Sequence, residues 1–306
     1  MISRNLLRGV ISWLPTTFDS NGNLDGIVFR KNVRKLCEAG IHGIYTAMSA
    51  GEVQSITWEE HQKLTDWLVE EGAGRSITIA GCTSPDTKEV VRRARYAQEV
   101  GADAIAVALP YFVPLNKAEA YHFFIDVAEA CSEVGIIHYQ TPRCGTLLNA
   151  EDYLKLAEIP NFLGSKQTGT NLDFLMELSM ATPQLSHMRV ESLFPDLMVG
   201  ASGCVSSTAT LNPMFILQLY NHCLDQKWDL ALKMQCQIKA FHKGLWEIIP
   251  PIYLDPVIDK ALTDIAGFIT AGDPRKPFLP LPNHLKLQLR HFLETYHPQF
   301  LYQVAS

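Results

Sequence analysis

Along this chain, short apolar runs alternate with longer stretches whose apolar residues recur three and four positions apart. The runs at 9–16, 43–48, 76–81, 104–109, 135–139, 162–166, 188–191 and 203–206 read as strands. Between them, 28–39 carries Phe29, Val33, Leu36 and Cys37 at helical spacing, and 87–100 carries Val90, Val91, Ala94, Ala97 and Gln98 ahead of Gly101. The segment 58–71 follows Thr57, with Glu60 three residues on, the two ends of a capping box. A further helical pattern covers 117–133. Strands that are apolar on both faces and separated by helices belong to a parallel sheet.

About eight such units fill roughly the first 225 residues, which fits a (β/α)8 barrel of ordinary size, ~250 residues. A doubly wound sheet is the competing fold, and it calls for a glycine-rich phosphate loop after an early strand. The first strand instead runs into LPTTFD at 14–19, without a glycine, so the barrel is preferred. Beyond residue 225 the pattern turns helical: 228–249 up to Pro250 and Pro251, then 253–269, then 285–296 after a Gly- and Pro-rich link. The expected organisation is a barrel over 1–225 and a C-terminal helical domain over 226–306.

Composition then narrows the class. Of 306 residues 47% are apolar, enough for a sizeable core, and the net charge of −6 comes with no long basic block. A nucleic-acid surface needs clustered Lys and Arg, so no nucleic-acid partner is expected. The seven cysteines are odd in number and show no CxxC pair, and the ten histidines form no HExxH. They read as reduced thiols of a cytoplasmic protein without a metal site. The opening run up to Pro15 and Thr16 lacks the h-region and cleavage site of a signal peptide. No apolar run reaches the ~18 residues of a membrane span.

Barrel active sites lie at the C-terminal strand ends. The polar residues there are Thr16, Thr17, Ser49 with Glu52, Tyr111, Tyr139 with Arg143, Lys166 with Thr168, Glu191, and Ser206 with Ser207. Lys166 is the one lysine of the set. An amine facing an apolar interior has its charged form disfavoured and can then attack a carbonyl to form a Schiff base. Tyr139, at the preceding strand end, offers a phenol to move the protons. Each residue has a plainer reading: Lys166 half of a salt bridge, Tyr139 a rim residue, Glu52 a helix cap, Arg143 a surface arginine. Composition and spacing alone leave these alternatives open.

Six segments occur in a telling order: GVISWLPTTFDSNGNLD from residue 9, AMSAGEVQSIT from 47, IIHYQTP from 136, FLGSKQTG from 162, VGASGCVSSTATLNP from 199 and AGDPRKPFLPL from 271. Through them the chain resembles the dihydrodipicolinate synthase / N-acetylneuraminate lyase family. The resemblance implies a (β/α)8 barrel with C-terminal helices, a homotetramer or homodimer, and no cofactor beyond a covalent imine between a lysine and pyruvate or a related 2-oxo acid. By position the lysine is Lys166 and the catalytic tyrosine Tyr139. The family's paired threonines fall on Ser49 and Ala50, where Ser49 keeps a hydroxyl, and Gly51 with the surrounding backbone would cradle the ketoacid carboxylate. Val205 and Ser206 belong to the segment expected to line the substrate.

The departures matter for the reaction. Met48 stands for the motif's first glycine, Ala50 lacks a hydroxyl, and Phe112 stands where dihydrodipicolinate synthases carry a relay tyrosine, beside the retained Tyr111. A proton relay needs unbroken exchangeable groups, which Phe112 and Ala50 cannot supply. Arg143 lies one position before the expected arginine, and Gln140 replaces an asparagine. The expectation is a lyase or aldolase acting on pyruvate or a hydroxylated 2-oxo acid. The alternatives are a 2-oxo-acid dehydratase or deaminase, dihydrodipicolinate synthase itself, and a non-catalytic 2-oxo-acid-binding relative. Arg143 would clamp a distal carboxylate, Glu191 would accept from substrate hydroxyls, and Met48 and Phe112 would narrow and dry the pocket.

Overall fold

In the computed structural model, which describes residues 7–303, eight parallel strands close into a barrel in chain order. They are β1 (Gly9–Trp13), β2 (Gly43–Tyr45), β3 (Ile77–Gly81), β4 (Ala104–Val107), β5 (Gly135–Gln140), β6 (Phe162–Gln167), β7 (Ser186–Val190) and β8 (Gly203–Ser206). The barrel with added C-terminal helices is therefore as expected. The reading of the chain's opening run falls partly on residues 1–6, outside the described residues.

Helices α1 (Gly26–Glu38), α2 (Trp58–Gly72), α3 (Thr87–Glu99), α4 (Lys117–Ala130), α5 (Ala150–Leu156), α6 (Leu172–Ala181), α7 (Leu193–Met198) and α8 (Thr208–Leu211) follow the strands in turn. Helices α9 (Pro213–Leu224), α10 (Trp228–Ile248), α11 (Val257–Ala266) and α12 (Asn283–Tyr296) complete the chain. The expected capping box forms: Glu60 N–H donates to Thr57 Oγ1 at 3.3 Å, and Thr57 N–H to Glu60 Oε2 at 3.1 Å.

Strand ends differ from the apolar runs for local reasons. β1 stops at Trp13 because Pro15, having no N–H, cannot continue the ladder. β2 stops at Tyr45, just before Ala47 turns the chain with a φ of 44°. The helix expected over 253–269 begins only at Val257, after Pro256, and ends at Gly267, whose φ of 83° suits a helix C-terminus. A Cβ on Gly203 would lie 1.9 Å from the Gly9 carbonyl oxygen, so the β1–β8 approach requires glycine there.

Two apolar clusters fill the molecule. One centres on β3–β6 and α3–α5, with Ile105, Phe124, Ile136, Tyr153 and Phe162. The other starts at Val10, Leu14 and Ile44 of the barrel and continues without a break through Phe215 and Phe241 to Ile265, Leu289 and Phe300. The C-terminal helices are thereby packed on one side of the barrel mouth. Among the described residues no helix is long and apolar enough to cross a membrane, and no His/Cys/Asp/Glu group could hold a metal. All seven cysteines are free, and only Cys236 is exposed.

Candidate active site

Lys166 sits near the end of β6 and is 6% exposed. Its Nζ donates to Thr168 Oγ1 at 2.5 Å and lies 3.8 Å from the ring centroid of Tyr139, its register partner on β5. The Tyr139 hydroxyl shares a 2.9 Å hydrogen bond with Ser49 Oγ. An amine over a phenol ring, and that phenol's hydroxyl on a serine, therefore converge from three strand ends.

Ser49 lies in a tight loop after β2. Ala47 and Glu52 hold positive φ, and a Cβ on Gly51 would come 2.8 Å from Ala47 N. Thr16 Oγ1 donates to the Gly51 carbonyl at 2.6 Å. The amide groups of Ser49, Ala50 and Gly51 donate to nothing in the protein among the described residues, which leaves them open to an anion. Behind the loop, the fully buried Glu52 meets Lys260 Nζ of α11 at 2.6 Å and accepts from Arg275 N at 2.9 Å. Lys260 also donates to the carbonyls of Thr16 at 2.8 Å and Asp273 at 3.2 Å. Burial pushes the Lys260 amine below its ordinary pKa, and the Glu52 charge opposes this.

Lys166 and Tyr139 open onto a cavity of about 490 Å³, within the size range of small-molecule sites. Ser49, Ala50, Thr168 and Val205 share its near end with them. Trp13, Tyr45, Thr208 and Thr210 line it too, as do Phe241, His242, Trp246 and Asp259 of α10 and α11. A second, mostly apolar cavity of about 610 Å³ adjoins it, lined by Met48 and Tyr111 together with Tyr253 and Phe278. Met48 is buried there, and its sulfur accepts from Thr83 Oγ1 at 3.7 Å. Burial raises the Tyr111 phenol above its ordinary pKa.

Between the two cavities stands an ion pair. Arg143 forks onto Asp255, with Nη1–Oδ2 at 3.0 Å and Nη2–Oδ1 at 2.5 Å. Burial alone would raise the Asp255 carboxyl. The Arg143 hydrogen bonds and charge, the Ser49 hydroxyl and the Lys166 charge outweigh it and hold Asp255 below the usual range. Asp259, one turn on, has no such partner. Burial, then the charges of Asp255 and Glu191, push it up to about 7 against Arg143 and Lys166.

Four expected substrate contacts have other placements. Phe112, at a φ of 88°, is 96% exposed and lines neither cavity, so it does not narrow the pocket of this chain. Glu191 leaves β7 with a φ of 59°, and its carboxylate is taken up by protein donors: Ser207 N, Thr208 N at 3.0 Å, Thr208 Oγ1 at 2.7 Å and Ser206 Oγ at 3.3 Å. Ser206 is fully buried in that same cluster rather than on the cavity. Arg143 is committed to Asp255 rather than free for a second carboxylate.

Asp255, Asp259, Tyr45 and Trp13 were absent from the sequence-derived set. A signal existed for Asp259 and Lys260, two adjacent charges inside the apolar helix α11 between Ile258 and Ala261.

The dihydrodipicolinate synthetase family model matches residues 6–296. The 4-hydroxy-tetrahydrodipicolinate synthase of Methanopyrus kandleri is 32% identical over 297 residues, covering 94% of this chain and 96% of that protein. An uncharacterized DapA-like lyase of Halobacterium salinarum is 30% identical over 216 residues, covering 70% of this chain and 71% of that one. Among solved structures, the dihydrodipicolinate synthase of Aquifex aeolicus superposes with a TM-score of 0.87 at 26% identity, covering 97% of this chain and 100% of its own. YagE of E. coli K12, solved in complex with pyruvate, shares the fold at a TM-score of 0.88 and 22% identity, over 97% of this chain and 100% of its own. With the barrel, the strand-end lysine and the matched family model together, this chain belongs to the dihydrodipicolinate synthetase family, as a divergent member.

Proposed function

We propose that this protein is a Schiff-base-forming lyase or aldolase that acts on pyruvate or a hydroxylated 2-oxo acid through Lys166. The observation that carries this reading is the joint placement of Lys166 Nζ against Tyr139 and of the Tyr139 hydroxyl on Ser49, at the mouth of a buried cavity. The ketoacid carboxylate would sit on the open amides of Ser49, Ala50 and Gly51. That position leaves the carbonyl carbon within reach of Nζ.

The neutral amine adds to the carbonyl carbon, and the phenol of Tyr139 protonates the oxygen so that water departs. The protonated imine then draws electrons from the bond between its α-carbon and the hydroxyl-bearing carbon beyond. In the cleavage direction the distal hydroxyl loses its proton, the bond breaks, and the enamine takes up a proton. Water returns to the imine carbon and frees Lys166. Ser49 keeps the Tyr139 hydroxyl in register and exchanges protons with it.

A dehydratase or deaminase would use the same imine and expel water or ammonia instead. No contact in the site favours elimination over cleavage. The similarity to named 4-hydroxy-tetrahydrodipicolinate synthases keeps synthase activity as a second reading. The pairing of Arg143 with Asp255 weighs against it, because a distal carboxylate would find no free guanidinium. Assembly as a homotetramer or homodimer is part of the proposal. The exposed Phe112, Val113 and Leu147 offer an apolar surface for it, on loops tied by Thr146 Oγ1 to the Leu115 carbonyl at 2.5 Å.

Borohydride reduction in the presence of pyruvate tests the core of this reading. The expected product is a three-carbon adduct on Lys166, read by peptide mass spectrometry. An unmodified Lys166, or an adduct confined to other lysines, rejects it.

A further inference from the structure

The wall of the main cavity also carries polar groups that imine formation does not use. The Asp259 carboxylate lines it and makes no hydrogen bond or ion pair with the protein among the described residues; only its main-chain carbonyl is bonded, by Thr263 Oγ1 at 2.8 Å. The Tyr45 hydroxyl is likewise without a protein partner there. Trp13 is 2% exposed, and its indole N–H is buried and unpaired. Nε2 of His242, from α10, is buried and unpaired as well. Of the neighbouring polar side chains, Thr208 is engaged with Glu191, Thr210 with Thr263 and Arg143 with Asp255. Buried polar groups are normally paired, so the two buried idle ones of Trp13 and His242, beside the half-buried and unbonded Tyr45 and Asp259, mark a place where a ligand completes the bonding.

The chemistry of the four groups selects among tails. Trp13 only donates, ionised Asp259 only accepts, and Tyr45 and the neutral imidazole of His242 do both. A terminal carboxylate could accept from Trp13 but would face Asp259, with Arg143 already neutralised. A terminal ammonium could pair with Asp259 but could accept nothing from Trp13. A hydroxyl donates and accepts, and so satisfies both. We propose that Asp259, Tyr45, Trp13 and His242 form a distal subsite for hydroxyl groups, so that the 2-oxo acid processed here ends in an uncharged, hydroxylated tail. This rests on the reading that its keto end is held by Lys166.

The test is labelling of Lys166 by borohydride with pyruvate and with a set of longer 2-oxo acids of equal length. One carries a plain alkyl tail, one a terminal carboxylate, one a terminal amine, and one hydroxyls along the tail. Each amine adds to a keto carbon with loss of water, and hydride reduces the imine to a stable secondary amine. For the hydroxylated probe, the intact adduct and the three-carbon adduct left after cleavage both count. The hydroxylated probe is expected to half-saturate labelling at a concentration lower by about tenfold or more than any of the other three tails, the effect of one good net hydrogen bond.

In Asp259→Leu the ratio of hydroxylated to alkyl labelling should fall toward one. In Asp259→Asn, whose amide still bonds hydroxyls, that ratio should persist while the carboxylate tail gains. The Asn variant keeps the shape of the site and decides the matter if the Leu variant does not fold. Equal labelling by all tails, a preference for the carboxylate or amine tail, or a hydroxyl preference that survives Asp259→Leu overturns the subsite while leaving the imine intact. Failure of pyruvate itself to label Lys166 overturns both.

Discussion

Two lysines are buried at the barrel mouth, and their surroundings differ in kind. Lys260 is 1% exposed and its ammonium is fully occupied: Glu52 at 2.6 Å, then the carbonyls of Thr16 and Asp273. Lys166 is 6% exposed and has one hydrogen bond, to Thr168, with the face of Tyr139 on another side. A buried ammonium with a carboxylate and two carbonyls is held as a charge and ties segments together. One supported by a hydroxyl and an aromatic face has no carboxylate bonded to it among the described residues, and its remaining side is open to the cavity. Burial alone therefore does not mark a reactive lysine; the count and charge of its partners do.

The sharpest way to break this comparison is to remove each amine in turn. Lys166→Met should abolish the pyruvate adduct and all turnover, while thermal unfolding shows that the fold is kept. A variant that still turned substrate over would move the chemistry elsewhere. Tyr139→Phe should lower turnover by about 10²–10⁴-fold with the fold intact, because it removes the positioned proton carrier. Full activity would reduce Tyr139 to a packing residue.

Lys260→Met should act on stability instead, costing about 3–5 kcal/mol in urea unfolding, because it strands the Glu52 carboxylate. Adding Glu52→Gln should recover part of that loss; a further drop would show that the two residues do not act as a pair. The smallest effect is expected for Thr168→Val, at about tenfold or less in the rate of adduct formation. The amine loses the one hydrogen bond that positions it, a net contribution of about 0.5–1.5 kcal/mol, and the rate of borohydride labelling with pyruvate measures this. A loss well beyond tenfold would make Thr168 a participant in the chemistry rather than a positioning partner.

The same contrast explains what could be read in advance. Strands and their order were legible because parallel barrel strands are apolar on both faces and each is followed by a helix or turn. Lys166 and Tyr139 could be placed side by side because both lie at the ends of consecutive strands, and they prove to be register partners. Side-chain partnership was not legible. Nothing local shows that Arg143 would meet Asp255, 112 positions on, or that Glu191 would turn its carboxylate onto the backbone of residues 207 and 208. Phe112 was misplaced for a related reason: a positive φ beside Tyr111 sends its ring outward, and apolar character gave no warning of that. Asp255, Asp259 and His242 were missed because they come from the segment after the barrel, where a strand-end search does not look; Trp13 and Tyr45 end β1 and β2 but read as apolar strand residues.

The Glu52–Lys260 bridge has one more consequence. The loop that presents Ser49 and the open amides is fastened through Glu52 to α11, and α11 also carries Asp259. The end of the cavity that would grip the ketoacid and the wall that would read its tail thus share a single brace. Moving α11 would disturb both at once, so specificity cannot be retuned by sliding that helix. Change has to come from single side chains on its face, and a chain cut before residue 257 would keep all eight strands yet leave the Glu52 charge sealed in the barrel mouth without its counterion.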